Sequence, residues 1–247
     1  MEAQHFGYQI LQHVVQHRWD ELPPDQRAQL SQLAIKLLDA ACSAAQQQES
    51  LRVVRLKACQ LVAAVIRQST EPGMPLLRAV LEGAGRGAAH LEAACNVVQF
   101  VNEDVAILPD EDLPQSRKRE LLSNLTASLP PVLQFLRGAL EREFTAASQQ
   151  AGQAAARPHL AAVSAALAAL ATYGEWAPVS EMHAQGITDA CGFLVMRPET
   201  REDALGVLKA MSLRRTGNGK GGWVSVEWCC GWSTACALTP YPVRCRG

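Results

Sequence analysis

Aromatic residues are scarce in this 247-residue chain, at 5% of the total, which disfavours a β-sandwich and favours helices packed through small residues. Excess charge of either sign is also missing. Lys and Arg number 23 against 24 Asp and Glu, a formal net charge of -1, so no global field draws in nucleic acid or an anionic membrane. The most membrane-like run, Leu160 to Ala171, is alanine-rich, interrupted by Ser164, and well short of the ~20 apolar residues a span requires. Met1-Glu2-Ala3-Gln4-His5 has neither the basic start nor the apolar core of a secretory signal. A soluble, intracellular protein with no membrane partner is expected.

Patterns that carry chemistry are equally thin. No Ser-His-Asp or Cys-His set is evident, and the carboxylates fall on loops and polar faces. His13 and His17, spaced i, i+4, can present two metal ligands on one helix face, but no third ligand accompanies them, and a solvated face is the simpler reading. Gly217 to Gly222 contains Gly219-Lys220 but lacks the spacing of a phosphate-binding loop. Cys229, Cys230, Cys236 and Cys245 lack the paired C-x-x-C of a zinc site. Neither an enzyme, a cofactor nor a metal is expected.

What the chain does have is helical periodicity. At 48% hydrophobic it can bury a sizeable core. Phe6, Ile10 and Val14 recur at i, i+4 and i+8 with Leu11 and Val15 alongside, an apolar stripe closed by Trp19. Leu22-Pro23-Pro24 stops that helix, and a helical hairpin is expected to follow. Leu30, Leu33, Leu37, Leu38 and Ala41 mark the next buried face, and Val54, Ala58, Leu61, Val62 and Val65 the one after it. Leu77, Val80 and Leu81 give a short helix ended by Gly83, Gly85 and Gly87. Leu91, Cys95, Val98 and Val101 give a longer one, and Leu121 to Phe144 a helix bent or interrupted at Pro130-Pro131.

Ser148 to Arg157 reads as the best linker; Leu160, Val163, Leu167 and Leu170 follow it on one face. Val179 to Met196 and Glu199 to Arg214 make a last pair, split at Pro198. Pairs recur at roughly 40 to 60 residues, near the ~40 to 47 of HEAT-type repeats. The expected fold class is all-α, an α-solenoid of HEAT-like antiparallel helical hairpins. Cys42, Cys59, Cys95 and Cys191 sit singly inside these patterns and read as small buried apolar residues.

After Thr216 the composition changes. The remaining segment holds three of the five tryptophans and four of the eight cysteines, and has no helical period. Residues 1–215 are therefore read as one helical repeat domain. Residues 216–247 are read as an irregular tail, disordered or non-native, from translated intron or shifted frame.

Several stretches carry a resemblance. Phe6, Gln9, Ile10, Leu11, Val14, Val15, Arg18, Trp19, Leu22 and Pro23 match F-x-x-Q-I-L-x-x-V-V-x-x-R-W-x-x-L-P, the first conserved helix pair of the exportin-1/importin-β-like domain. Val101-Asn102-Glu103-Asp104-Val105 followed by Arg117-Lys118-Arg119-Glu120 resembles the exportin-5/HASTY branch, as does Ala139 to Phe144. Glu175-Trp176-Ala177-Pro178-Val179 and Cys191-Gly192-Phe193-Leu194 resemble that branch more specifically. The corner Ile66 to Gly73 departs from it, lacking the usual Trp-Pro element.

The resemblance implies an N-terminal fragment of a longer nuclear export receptor of the importin-β superfamily. Such a receptor binds the GTP form of Ran together with cargo, small structured RNA or protein, meets nuclear pore proteins, and shuttles between nucleus and cytoplasm. Its N-terminal repeats are the Ran-binding part. Glu103 and Asp104 are candidates for a basic surface of Ran, or equally for capping a helix end. Arg117, Lys118 and Arg119 are candidates for phosphate or an acidic partner, or for a solvated helix face. Trp19 and Trp176 read as packed corner residues. The alternative function is a HEAT-repeat protein-binding scaffold, or a truncated remnant, without transport activity.

Overall fold

The computed structural model describes residues 2–45, 52–69, 74–107 and 113–213. The tail 216–247 lies outside the described residues. Eleven helices occur among them: α1 Glu2–His17, α2 Pro24–Ala45, α3 Arg52–Gln68, α4 Pro75–Gly83, α5 Ala88–Asn102, α6 Gln115–Ala127, α7 Leu129–Gln149, α8 Ala156–Gly174, α9 Val179–Ala184, α10 Ile187–Val195 and α11 Arg201–Leu213. No strand occurs among the described residues.

Prolines open several of these helices. Pro24, Pro75 and the pair Pro130-Pro131 all sit in a first turn, where the missing N–H costs no hydrogen bond. The double proline therefore separates α6 from α7 at Ser128, whose hydroxyl donates to the Leu125 carbonyl at 2.8 Å.

The helices form two layers. In one, α1, α3, α5, α8 and α11 pack each on the next; in the other, α2, α4, α7 and α10 lie against α3, α5, α8 and α11 respectively. This is the arrangement of a HEAT-like α-solenoid, in which each hairpin buries its apolar face on its neighbour. The core runs unbroken through the stack, from Val15 and Leu61 through Leu91, Leu133 and Leu167 to Ile187 and Val207, each at 0% exposure. Cys42, Cys59, Cys95 and Cys191 are all buried and unpaired as disulfides.

Polar ties join the helices both within and between the layers. Arg55 of α3 reaches the buried Glu92 of α5 at 2.5 Å, and Arg52 approaches the same carboxylate at 3.4 Å. Asp39 of α2 meets His90 of α5 at 2.9 Å and Arg86 at 2.6 Å. Buried Glu143 of α7 meets His159 of α8 at 2.7 Å. Ser164 of α8 donates to Asp203 of α11 at 2.5 Å.

Four local expectations are corrected. Phe6 and Ile10 of the expected stripe are 62% and 48% exposed, while Val15 and Trp19 are buried as expected and Tyr8 joins them, because α1 turns toward α3. For the same reason α1 and α2 do not make a close hairpin; the main neighbour of α1 is α3. Ser148 to Arg157 is a short turn inside the α7–α8 hairpin, since helix continues to Gln149 and resumes at Ala156. The stretch from Val179 is two helices, broken where Gly186 adopts φ +70, a conformation that side chains with a Cβ resist.

Candidate partner-binding edge

Four successive helices of one layer run in the same direction, as their cross-contacts show. Arg55 and Glu92 join the N-terminal halves of α3 and α5, and Asn102 and Thr172 join the C-terminal ends of α5 and α8. Ser164 and Asp203 align α8 with the start of α11. At the other end, a Cβ built on Gly174 would lie 3.1 Å from Ala210 and 3.3 Å from the Met211 backbone nitrogen. The C-termini of these helices therefore share one edge of the fold. Helix C-termini present unpaired carbonyls and the negative end of the macrodipole, so this edge favours positive charge.

Part of that demand is met from within. Arg117, at the start of α6, donates from Nη2 to the carbonyls of Arg67 at 3.0 Å and Ser69 at 2.7 Å, and from Nη1 to Glu120 at 2.9 Å. Its guanidinium caps the C-terminus of α3, a role that suits arginine because its planar fork can span two acceptors.

The end of α5 is handled differently. After Asn102 the chain widens into a π-helical turn, Glu103–Ile107, against which α6 packs. Gln99 donates to Glu103 at 2.8 Å, and Val105 is buried beneath. Asn102 is fully buried. Its Nδ2 donates to Thr172 Oγ1 at 2.7 Å, its Oδ1 accepts from Trp176 Nε1 at 2.8 Å, and the Thr172 hydroxyl donates to the Ala169 carbonyl at 2.7 Å. The turn bearing Glu103 and Asp104 is thereby fastened to α8 and to the corner after it.

Glu103, Asp104, Arg117, Lys118 and Arg119 are thus gathered at one corner, by the packing of α6 on the π-helical turn. They are not equivalent. Arg117 is largely buried and committed to the α3 carbonyls; Glu103, Asp104 and Lys118 are half-buried, and Arg119 is exposed. Asp104 and Lys118 already take part in interactions of their own. Trp19 is buried at its corner with Arg27 over its ring at 5.9 Å.

Sequence reasoning missed Asn102, which continues the Leu91, Cys95, Val98 spacing onto the buried stripe. A polar residue at that register was the available signal. Sequence reasoning also left Thr172 unmarked.

Other chemistry is muted. Burial pushes the Cys42 thiol up to about 11 and the Cys191 thiol up to about 12, and holds Cys59, Cys95 and Tyr173 well above their ordinary ranges. Such thiols are poor nucleophiles. The His13 and His17 rings sit 4.6 Å apart on the exposed face of α1. Among the described residues no group of three or more His, Cys, Asp or Glu is placed to hold a metal ion. None of the described helices is long and apolar enough to cross a membrane.

Comparison with known proteins agrees with the architecture. Residues 51–208 match the family model "Exportin 1-like protein". The chain is 32% identical to Protein HASTY 1 of Arabidopsis thaliana over 213 residues, covering 85% of this chain and 17% of that protein. It is 24% identical to Exportin-5 of Mus musculus over 188 residues, covering 74% of this chain and 15% of that one. The chain thus spans less than a fifth of the length of either relative.

Proposed function

The chain belongs to the exportin-like family of nuclear transport receptors within the importin-β superfamily, and from that premise we propose that it serves as a Ran-binding module of an export receptor. In this reading it is not an enzyme. It binds Ran in its GTP form, contributes to carrying small structured RNA or protein cargo past nuclear pore proteins, and moves between nucleus and cytoplasm. Transport by such a protein needs affinity that changes with the nucleotide on its partner, which a stack of hairpins can supply through shifts in packing.

The observation that carries the reading is the Asn102 clasp. It joins Val101 to Val105 and Glu175 to Val179, two stretches that resemble the exportin-5/HASTY branch, through hydrogen bonds of 2.7 and 2.8 Å. We assign Glu103 and Asp104 to a basic surface of Ran, and Lys118 and Arg119 to an acidic one. Arg117 belongs to the same corner and acts by holding it in place.

The test is binding of the full chain to Ran loaded with a non-hydrolysable GTP analogue against Ran loaded with GDP. Selective binding of the GTP form is expected, reduced in Glu103→Lys and Arg119→Glu. Equal or absent binding by a well-folded chain rejects the reading. The scaffold alternative would then lead, favoured by Phe6, Leu205 and Leu213, which are 62%, 47% and 52% exposed and offer apolar contact without any nucleotide sensing.

A further inference from the structure

Away from that edge, a groove of about 830 Å³ opens between α7 and the α9–α10 pair. Its floor is apolar, formed by Leu140, Phe144, Ala190 and Leu194. Phe144 and Phe193 meet edge to face at 5.6 Å between ring centroids, yet Phe193 remains 51% exposed. A large, half-open aromatic beside an apolar floor is the usual anchor point of a recognition surface.

The charges on its wall are ordered. Along α10 and just past its end, Asp189, Phe193 and Arg197 follow at i, i+4 and i+8, and all three are exposed. Arg197 lies over the Phe193 ring at 4.9 Å. Among the described residues neither Asp189 nor Arg197 has an opposite charge within ion-pair distance, whereas Arg137 of the facing wall is neutralised by Glu141 at 2.7 Å. The groove therefore offers an anion at one end, an aromatic anchor in the middle and a cation at the other.

We propose that this groove docks an amphipathic helix of a separate protein, carrying a cation, a large apolar residue and a carboxylate at successive turns of one face. A helix is the fitting occupant because it sets successive side chains of one face about a turn apart, as Asp189 and Phe193 stand on α10, with Arg197 just past the helix end at the Phe193 ring. The apolar residue packs on Phe193 and the floor; the cation meets Asp189 and the carboxylate meets Arg197. Because the wall carries both signs, it selects for a dipolar partner and against a uniformly charged one.

The probes are three labelled alanine-based helical peptides, bearing Lys-Leu-Glu, Glu-Leu-Glu or Lys-Leu-Lys at i, i+4 and i+8, titrated against the full chain by fluorescence anisotropy. The mixed peptide is expected to bind about fivefold more tightly than either uniform one, the scale of a rim ion pair. Asp189→Lys should move the preference to the Glu-Leu-Glu peptide, and Arg197→Glu to the Lys-Leu-Lys peptide. Phe193→Ala should weaken all three. These side chains are exposed, so their replacement leaves the core intact. Equal affinity for the three peptides, a preference unmoved by the charge substitutions, or no measurable binding would overturn the proposal.

Discussion

The indole of Trp176 donates to the side-chain oxygen of Asn102 at 2.8 Å across 74 residues of sequence. With Thr172 on the amide's other side, the fully buried Asn102 has both ends of its side chain occupied. Asn102→Leu should destabilise the chain by about 2 to 4 kcal/mol, since it strands the indole N–H and loses both bonds. Trp176→Phe should cost about 1 to 2 kcal/mol. In a double-mutant cycle by urea denaturation the two should couple by about 1 kcal/mol; simple additivity would mean that the bond contributes nothing.

The Arg55–Glu92 pair gives a second outcome. Both side chains are over nine-tenths buried, at 7% and 4% exposure. Glu92→Ala leaves a buried guanidinium without its counter-charge and should cost about 3 to 5 kcal/mol, while Arg55→Met with Glu92→Leu should cost far less. Equilibrium unfolding of the single and double variants measures the contrast.

Arg117 and Arg119 stand close in sequence but differ in task. Arg117→Ala uncaps α3 and should lower stability by about 1 to 2 kcal/mol, whereas Arg119→Ala should change it by less than about 0.5 kcal/mol. Thermal melts of the two variants separate them. A Ran-binding defect in Arg119→Ala with an unchanged melt would then report a contact.

Close helix approach gives a fourth. A Cβ on Gly174 would come within 3.3 Å of the Met211 backbone nitrogen, which cannot rotate aside. Gly174→Ala should push α8 from α11 and cost about 1 to 3 kcal/mol by overpacking. Chemical denaturation should show that loss; an unchanged midpoint would mean that the two helices slide freely.

The buried thiols set an alkaline limit. Cys42 and Cys191 ionise near an ordinary value of 9.0 when unfolded, and near about 11 and about 12 when folded. Above pH 9 the unfolded chain loses protons that the folded chain keeps, so stability should fall as pH rises from 9 through 11 and toward 12. Stability curves of the parent and of Cys42→Ala should converge in shape below pH 9 and diverge above it. Reaction with a thiol reagent at neutral pH should be slow for all four described cysteines until the chain unfolds.

Much of this molecule follows from periodicity. Helix after helix was legible in the spacing of Leu, Val and Ala, and the cysteines at Cys42, Cys59, Cys95 and Cys191 could be read as buried because each fell on an apolar stripe. The orientation of α1 was not legible. Phe6 and Ile10 complete a convincing stripe with Val14, Val15 and Trp19, yet they are exposed while Tyr8 is buried beside Val15 and Trp19, because a helix with apolar residues on two faces can turn either toward a neighbour.

The candidate edge divides in the same way. Sequence alone determined an all-α chain of stacked hairpins with acidic and basic residues near Glu103 and Arg117, because local hydrophobic period and proline placement are properties of neighbouring residues. Only the tertiary structure decided that Arg117 would cap α3 and that Asn102 would bind Trp176. It alone also set Asp189, Phe193 and Arg197 beside an open groove. Those outcomes depend on which helix ends meet in space, and the free energy of a buried hydrogen bond or an ion pair is fixed by that meeting, whatever the distance along the chain.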